Sequence, residues 1–330
     1  MKIRFIQNAI DIIRGKKSVK DIVLHHKNKL LIRKYLKSAE YQIIYPPQGL
    51  GDILYICLLL KEYKEINGKK IVMIVRKHYF KQLTQLFAKE VDETLLIGYD
   101  LEHLISHIKK NKSVLNIEAE LYEKGMKFIS FRINLIQILN LPKNTKLKTD
   151  TDFEFKTENF GIEHKKGKTI ILSPHATSCP KCVPDEFWLS LADFFITKGF
   201  DIIFNSNDNT FSQKYKSCLL SISDTIALVN DCGYFIGYRS GLCDVMAYFS
   251  NAKKIFIYPT NPHNGDSAEK YFELATTKDL WIYNKAKEYI YSENLLEIIK
   301  NLDFSVFLPQ NPQRKRAKVY KNARFIIEIL

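Results

Sequence analysis

Three short stretches hold residues able to bind an anion or move a proton: GLGD at 49–52, SPHATSCPK at 173–181 and YRSGLCD at 238–244. In the first, Gly49 and Gly51 can take positive φ and let a ligand approach the backbone. The helix that follows offers free N–H groups, and Asp52 is a carboxylate able to accept a proton. Asp52 can equally be the N-cap of that helix, a position aspartate favours. In the second stretch Ser173, Thr177 and Ser178 can donate hydrogen bonds to phosphate oxygens, with His175 among them and Lys181 supplying charge. The same composition also suits an ordinary polar strand-to-helix loop. In the third, Arg239 and Ser240 stand where a helix begins and Gly241 leaves room, a local recipe for a diphosphate. Its alternative is an internal pairing of Arg239 with Asp244 or another acid. The first loop is not a P-loop, since the Lys-Ser/Thr pair is absent, nor a dinucleotide fingerprint, since its third glycine is missing.

Other motif-like pairs carry less. Asp150 and Asp152 match a metal-binding Asp-x-Asp but fall in a polar linker with no buried strand behind them. His103 and His107 are one helical turn apart, without the glutamate and third ligand of a zinc site. Cys179 and Cys182 have ligand spacing but no second pair, and the six cysteines are read as reduced thiols.

These loops need strands and helices to hold them. YQIIY (41–45) reads as a buried strand, ILYICLLLKEYKEI (53–66) as a helix, KKIVMIV (69–75) as a strand and 78–90 as a helix. ETLLIGY (93–99) and SVLNIE (113–118) read as further strands, each followed by a helix. Residues 141–167 are polar and break the alternation, which restarts with a strand at 168–174, a helix at 184–199 and a strand at 200–206. A helix is expected near 210–220, a strand at 234–238, a helix at 240–250 and a strand at 253–259. A further strand is read at 281–284 and a helix at 292–302. Such alternation predicts an α/β protein of two doubly wound, Rossmann-like parallel-sheet domains facing across a cleft. The expected boundaries are 1–38 for a basic helical extension, 39–160 and 161–313 for the two domains, and 314–330 for a basic C-terminal helix returning to the first domain.

The formal charge of +14 is uneven. Residues 1–38 hold 11 Lys/Arg against 2 acids and residues 314–330 hold 6 against 1, so the stretch between them is neutral. Basic ends with interleaved apolar residues suit an anionic membrane surface or an anionic acceptor; a solvated helix packing on its own domain is the other reading. In the first segment Phe5, Ile6, Ala9, Ile10, Ile12 and Ile13 share a helical face. No nucleic-acid motif occurs. No apolar run is long enough to span a bilayer, and the N-terminus is too charged for a signal peptide. The expected location is cytoplasmic, or peripheral on the inner face of the plasma membrane.

Taken together, IIYPPQGLGDILYICLLLKEY, IILSPHATSCPKCVPDEFWLSLADFFITKGFDIIF and YFIGYRSGLCDVMAYFSNAKKIFIYP resemble the GT-B glycosyltransferases, above all the ADP-heptose:lipopolysaccharide heptosyltransferases and related capsule and O-antigen enzymes. The order and spacing match over about residues 40–300. Two positions depart. The family usually has an acid before its Ser/Thr-Gly, where this chain has Arg239, and a histidine soon after that glycine, where it has Asp244.

The resemblance implies an inverting, metal-independent transfer of a sugar from a nucleoside-diphosphate sugar to a surface-glycan acceptor, such as lipopolysaccharide or capsule. It makes Asp52 the catalytic base and gives Gly49 and Gly51 to the acceptor loop. The donor set is then Ser173, His175, Thr177, Ser178, Lys181, Ser206, Asn207, Arg239, Ser240, Gly241 and Asp244. No metal or cofactor is expected beyond the sugar-nucleotide co-substrate, and the expected partners are that donor, a glycan or lipid-linked acceptor and an anionic membrane surface. Competing functions on the same fold are a non-hydrolysing nucleotide-sugar 2-epimerase, a polyol-phosphate transferase and a non-catalytic glycan- or nucleotide-binding module.

Overall fold

The computed structural model describes residues 19–302 apart from 48, 77–79, 82–83, 85–87, 97–113, 124–130, 146, 148–160, 177–180, 263–266 and 277–285. The expectations for Thr177, Ser178, Cys179, His103, His107, Asp150, Asp152, the helical face at 5–13, the strand at 281–284 and the segment 314–330 lie outside the described residues. Contacts group the chain into two compact units, Met1–Ser292 and Glu293–Leu330.

The first unit holds two parallel sheets. Helix α1 (Val19–Leu36) precedes β1 (Tyr41–Tyr45), α2 (Leu50–Asn67), β2 (Lys70–Val75), β3 (Val91–Leu96), β4 (Val114–Asn116), α3 (Ile117–Glu123) and α4 (Phe131–Ile138). Next come β5 (Thr169–Ser173), α5 (Asp185–Thr197), β6 (Asp201–Asn205), α6 (Asn209–Ser212), β7 (Lys216–Cys218), α7 (Ile222–Cys232) and β8 (Gly233–Tyr238). The unit ends with α8 (Gly241–Phe249), β9 (Lys253–Tyr258), α9 (Ala268–Ala275) and β10 (Ala286–Ile290), and the second unit contributes α10 (Leu295–Lys300).

The first sheet has the order β3-β2-β1-β4 and the second β10-β9-β8-β5-β6-β7. Every strand pair among the described residues is parallel. Central strands are therefore apolar on both faces: β2 buries Ile71 to Val75 and β5 buries all five of its residues. In each sheet the winding reverses beside the first strand, between β1 and β4 and between β5 and β8. Ligand crevices form outside the carboxyl ends of strands at such reversals. One buried apolar cluster includes Ile44, Leu58 and Met73 of the first sheet's half and Ile171, Val245 and Phe256 of the second's. Helix α1, the second part of the expected basic extension, lays Ile32 and Tyr35 on Ile43, Tyr45, Val72, Ile74 and Leu95 on the other face of the first sheet.

Several boundaries differ from the sequence-based expectation. Helix α2 begins at Leu50 rather than 53, because Gly49 is its N-cap and the Ile53 N–H already bonds Gly49 O at 3.1 Å. The strand expected over 113–118 closes at Asn116, whose Oδ1 accepts the Ala119 N–H at 3.0 Å and starts α3. In place of one helix near 210–220 there are the single turn α6, the edge strand β7 and the eleven-residue helix α7. Helix α7 is capped by Ser221, which accepts the Asp224 N–H, and closes on Gly233 at φ 88°.

Candidate active site

The loops after β1 and β8 meet in direct contact. A methyl group placed on Gly241 would lie 2.5 Å from the Gly51 nitrogen and 2.7 Å from Leu50 Cβ. One placed on Gly51 would lie 2.3 Å from Asp244 Oδ2 and 3.5 Å from Gly241 Cα. The first turns of α2 and α8 thus touch backbone to backbone, an approach only glycine permits. This corrects the expected use of the glycines. Gly49 has φ −102° and Gly51 is a buried helical residue, so neither takes positive φ. Gly51 clears space for Asp244, while Gly49 lies under the Asp52 carboxylate, whose Oδ2 would be 2.3 Å from a methyl there.

Arg239 and Asp244 form a buried pair beside that contact, at 5% and 4% exposure. Arg239 Nη2 donates to Asp244 Oδ1 at 2.8 Å and Nη1 to Oδ2 at 3.1 Å. Nη1 also donates to Ser240 O at 2.6 Å and Nε to Ala275 O at 3.3 Å. The guanidinium lies 5.7 Å from the centre of the Tyr258 ring, and the Tyr258 hydroxyl sits 2.6 Å from Glu288 Oε1 and 2.8 Å from Ala275 O. The internal pairing weighed against a phosphate role for Arg239 is the arrangement present. Burial pushes the Asp244 carboxyl up, and the Arg239 charge opposes it.

Asp52 is in the first turn of α2 and does not cap it. Half-buried, it makes no hydrogen bond or ion pair among the described residues. Burial, then the nearby Asp244 charge, pushes its carboxyl up to about 6; Arg239 acts in the opposite sense and Glu118 adds to the rise. A carboxylate of that affinity is ionised at neutral pH yet takes a proton readily, as a general base must.

Of the remaining candidates, Ser173, His175, Ser206 and Asn207 lie at or just after the carboxyl ends of β5 and β6. Ser173 ends β5, buried, and accepts from Asn205 Nδ2 at 3.4 Å. His175 Nε2 stands 3.6 Å from Asp208 Oδ2, and its ring lies 5.6 Å from that of Phe211. Ser206 is buried and accepts the Asp208 N–H at 3.0 Å, and Asn207 is exposed. Ser240 is the N-cap of α8, its hydroxyl 3.9 Å from Cys243 Sγ. Lys181 is engaged locally, 2.6 Å from Asp185 Oδ2 on the next helix. Cys182 is a free cysteine near Asn261 O.

Sequence reasoning missed a second polar group at the ends of β1, β2 and β4. Arg76 Nε donates to the Tyr45 hydroxyl at 2.7 Å, and Arg76 Nη2 stands 3.4 Å from Glu118 Oε2. The position of Arg76 directly after the buried run KIVMIV, and of Glu118 just after LNI, was the available signal. Tyr258 and Glu288 were also missed, the latter because β10 is a half-exposed edge strand.

The chain matches no protein-family profile and no curated protein in sequence. Solved structures do resemble it. A glycosyl transferase family 9 protein from Veillonella parvula matches with a TM-score of 0.52 and 14% identity over 82% of this chain and 93% of that one. ADP-heptose lipopolysaccharide heptosyltransferase II of E. coli gives 0.47 and 13% over 69% of this chain and 88% of that one. E. coli heptosyltransferase WaaC with ADP-2-deoxy-2-fluoro heptose gives 0.46 and 12%, covering 66% and 89%. At these identities the likeness is one of fold: two parallel α/β sheets, as in the family 9 structure.

Three outcomes follow from this geometry. Arg239→Ala strands the Asp244 carboxyl in the interior and should lower unfolding free energy by about 3–5 kcal/mol. Arg239→Met with Asp244→Leu should lower it far less, both read by chemical denaturation. Gly241→Ala should destabilise by about 1–3 kcal/mol or more, because its methyl meets backbone rather than a movable side chain. Folded Asp52 keeps its proton up to about 6, whereas an unfolded aspartate loses it near ~4. The ionised carboxylate therefore burdens the fold above pH 6 and the neutral one does not. Asp52→Asn should melt higher than the parent at pH 8, by about 3 °C, with the gain fading as pH falls towards 4.

Proposed function

We propose that this chain is an inverting glycosyltransferase, moving a sugar from a nucleoside-diphosphate donor to a hydroxyl of a surface glycan, in the manner of the heptosyltransferases it resembles. The observation that carries the reading is Asp52: a half-buried carboxylate with no ion pair among the described residues and a proton affinity raised to about 6, following the first sheet's central strand. In this reading the acceptor hydroxyl gives its proton to Asp52 while its oxygen attacks the anomeric carbon. The bond from that carbon to the phosphate oxygen breaks, and the nucleoside diphosphate leaves with the bonding electrons. Ser240, the first turn of α8, His175 and Lys181 offer the donors and charge that stabilise the leaving group. Asn207, exposed after β6, is placed to contact the rest of the donor, while the buried Ser173 and Ser206 fix the strand ends beside it. Arg239 acts through its pair with Asp244, holding the α8 turn in place. No metal is needed in this scheme, because protein groups carry the developing charge. The reaction belongs on the cytoplasmic side, where sugar nucleotides are held.

A thermal-shift panel of nucleotide sugars identifies the donor, since a ligand that binds the native state raises its melting temperature. With that donor, Asp52→Asn should lower turnover by about 10²–10⁴-fold and leave donor affinity nearly unchanged. In the parent enzyme kcat/KM should fall as pH drops through about 6, because the base must be ionised. An affinity loss equal to the rate loss would make Asp52 a binding residue and remove the catalytic reading.

A further inference from the structure

Helix α1 turns one face to the first sheet, through Ile32 and Tyr35, and leaves another uncovered. On the uncovered face Val23 is 61% and Leu30 65% exposed. These two residues are two helical turns apart and so lie on one line along the axis. At 3.6 residues per turn, Lys27 and Lys34 run along one side of that line and Arg33 and Lys37 along the other. All four cations are exposed, and none is ion-paired among the described residues. No acid occurs between residues 22 and 38. Among the described residues α1 alone carries two exposed large aliphatics; Ile66, Ile133, Ile196, Leu219 and Ile298 are scattered singly.

An aliphatic ridge bordered on both sides by long cationic side chains matches the layering of an anionic bilayer interface. The ridge enters the boundary between headgroups and acyl chains, and the lysine and arginine stems let their charges reach outward to phosphates. We propose that the outer face of α1 docks on an anionic lipid surface, with Val23 and Leu30 at the acyl boundary and Lys27, Arg33, Lys34 and Lys37 on the headgroups. The charge argument is local: the cations are concentrated in this segment and the C-terminal one, while residues 39–313 are neutral. This surface is distinct from the candidate active site and stands whether or not the transferase reading holds.

The test is co-sedimentation of the full-length protein with vesicles of phosphatidylcholine alone and of phosphatidylcholine mixed with phosphatidylglycerol. Binding is expected to the mixed vesicles only, and to weaken as salt is raised. Lys27→Gln with Lys34→Gln should bind about 25-fold more weakly, at about five-fold per cation. Val23→Ser with Leu30→Ser should bind at least about ten-fold more weakly. Equal binding to both vesicle types, or no binding, overturns the proposal, as does full binding by both double variants, which would move the contact elsewhere. Loss in the cation variant alone, with equal affinity for double-stranded DNA, would make the face a general polyanion patch and also overturn it. All four positions are exposed, so melting temperatures should match the parent; should either variant unfold, Arg33→Gln with Lys37→Gln on the other border of the ridge reads the same face.

Discussion

Two helices approach backbone to backbone at Gly51 and Gly241, and the polar chemistry of the site is placed by that contact. Each glycine removes a side chain that would otherwise strike a backbone atom or the Asp244 carboxylate. With no side chain between them, the first turns of α2 and α8 cannot be held apart by a change of rotamer. Asp52 and Asp244, one in the first turn of each helix, are thereby brought close enough for the charge of one to raise the proton affinity of the other. Two like charges so placed are tolerable only with a counter-ion, and Arg239 supplies it through two parallel hydrogen bonds to Asp244. The glycines and the ion pair are one device: close approach creates the electrostatic problem and the arginine answers it for one of the two carboxylates.

The other carboxylate is left unanswered. Asp52 stands at the third position of α2, past the N-cap Gly49, and its carboxylate lies over that glycine without capping the helix. A partly buried ionisable group with no ion pair among the described residues lowers stability, and sites that do so tend to be functional ones. Under the transferase reading this is the physical ground for giving proton transfer to Asp52 rather than to Asp244, whose oxygens are both occupied by Arg239.

Most of the fold was legible because parallel strands are apolar throughout and end at glycine, proline or polar loops; YQIIY, KIVMIV, TIILS and KIFIY announce themselves. What failed was short or exposed. Lys216–Cys218 has three residues at a sheet edge, too few to show a period, and Ala286–Ile290 alternates weakly because its edge position leaves it half-exposed. Helix α7 did carry its signals, Ser221 before Asp224 and Gly233 at the end, but an apolar stretch beside a strand masked them. Within the site, the stretches that come together could be named from residue types alone. That the glycines serve a helix–helix contact could not, because it depends on which two loops meet; the inward Arg239–Asp244 pair, five residues apart, was open in the sequence as the alternative to a phosphate role.

The same arrangement sets how the site's charge varies with pH. Arg239 with Asp244 is neutral as a unit, and Arg76 with Glu118 is a second pair of opposite charges at 3.4 Å. Asp52 has no counter-ion of its own among the described residues, and it adds a negative charge as it ionises around 6. An anionic donor approaching these loops meets one less negative charge when Asp52 is protonated, whereas proton abstraction requires it ionised. Under the transferase reading, binding and chemistry then pull in opposite directions across this interval. A proton affinity raised to about 6 is a compromise between them: above it the base is ready, and the Arg239 charge just behind Asp244 limits the repulsion that an incoming diphosphate feels.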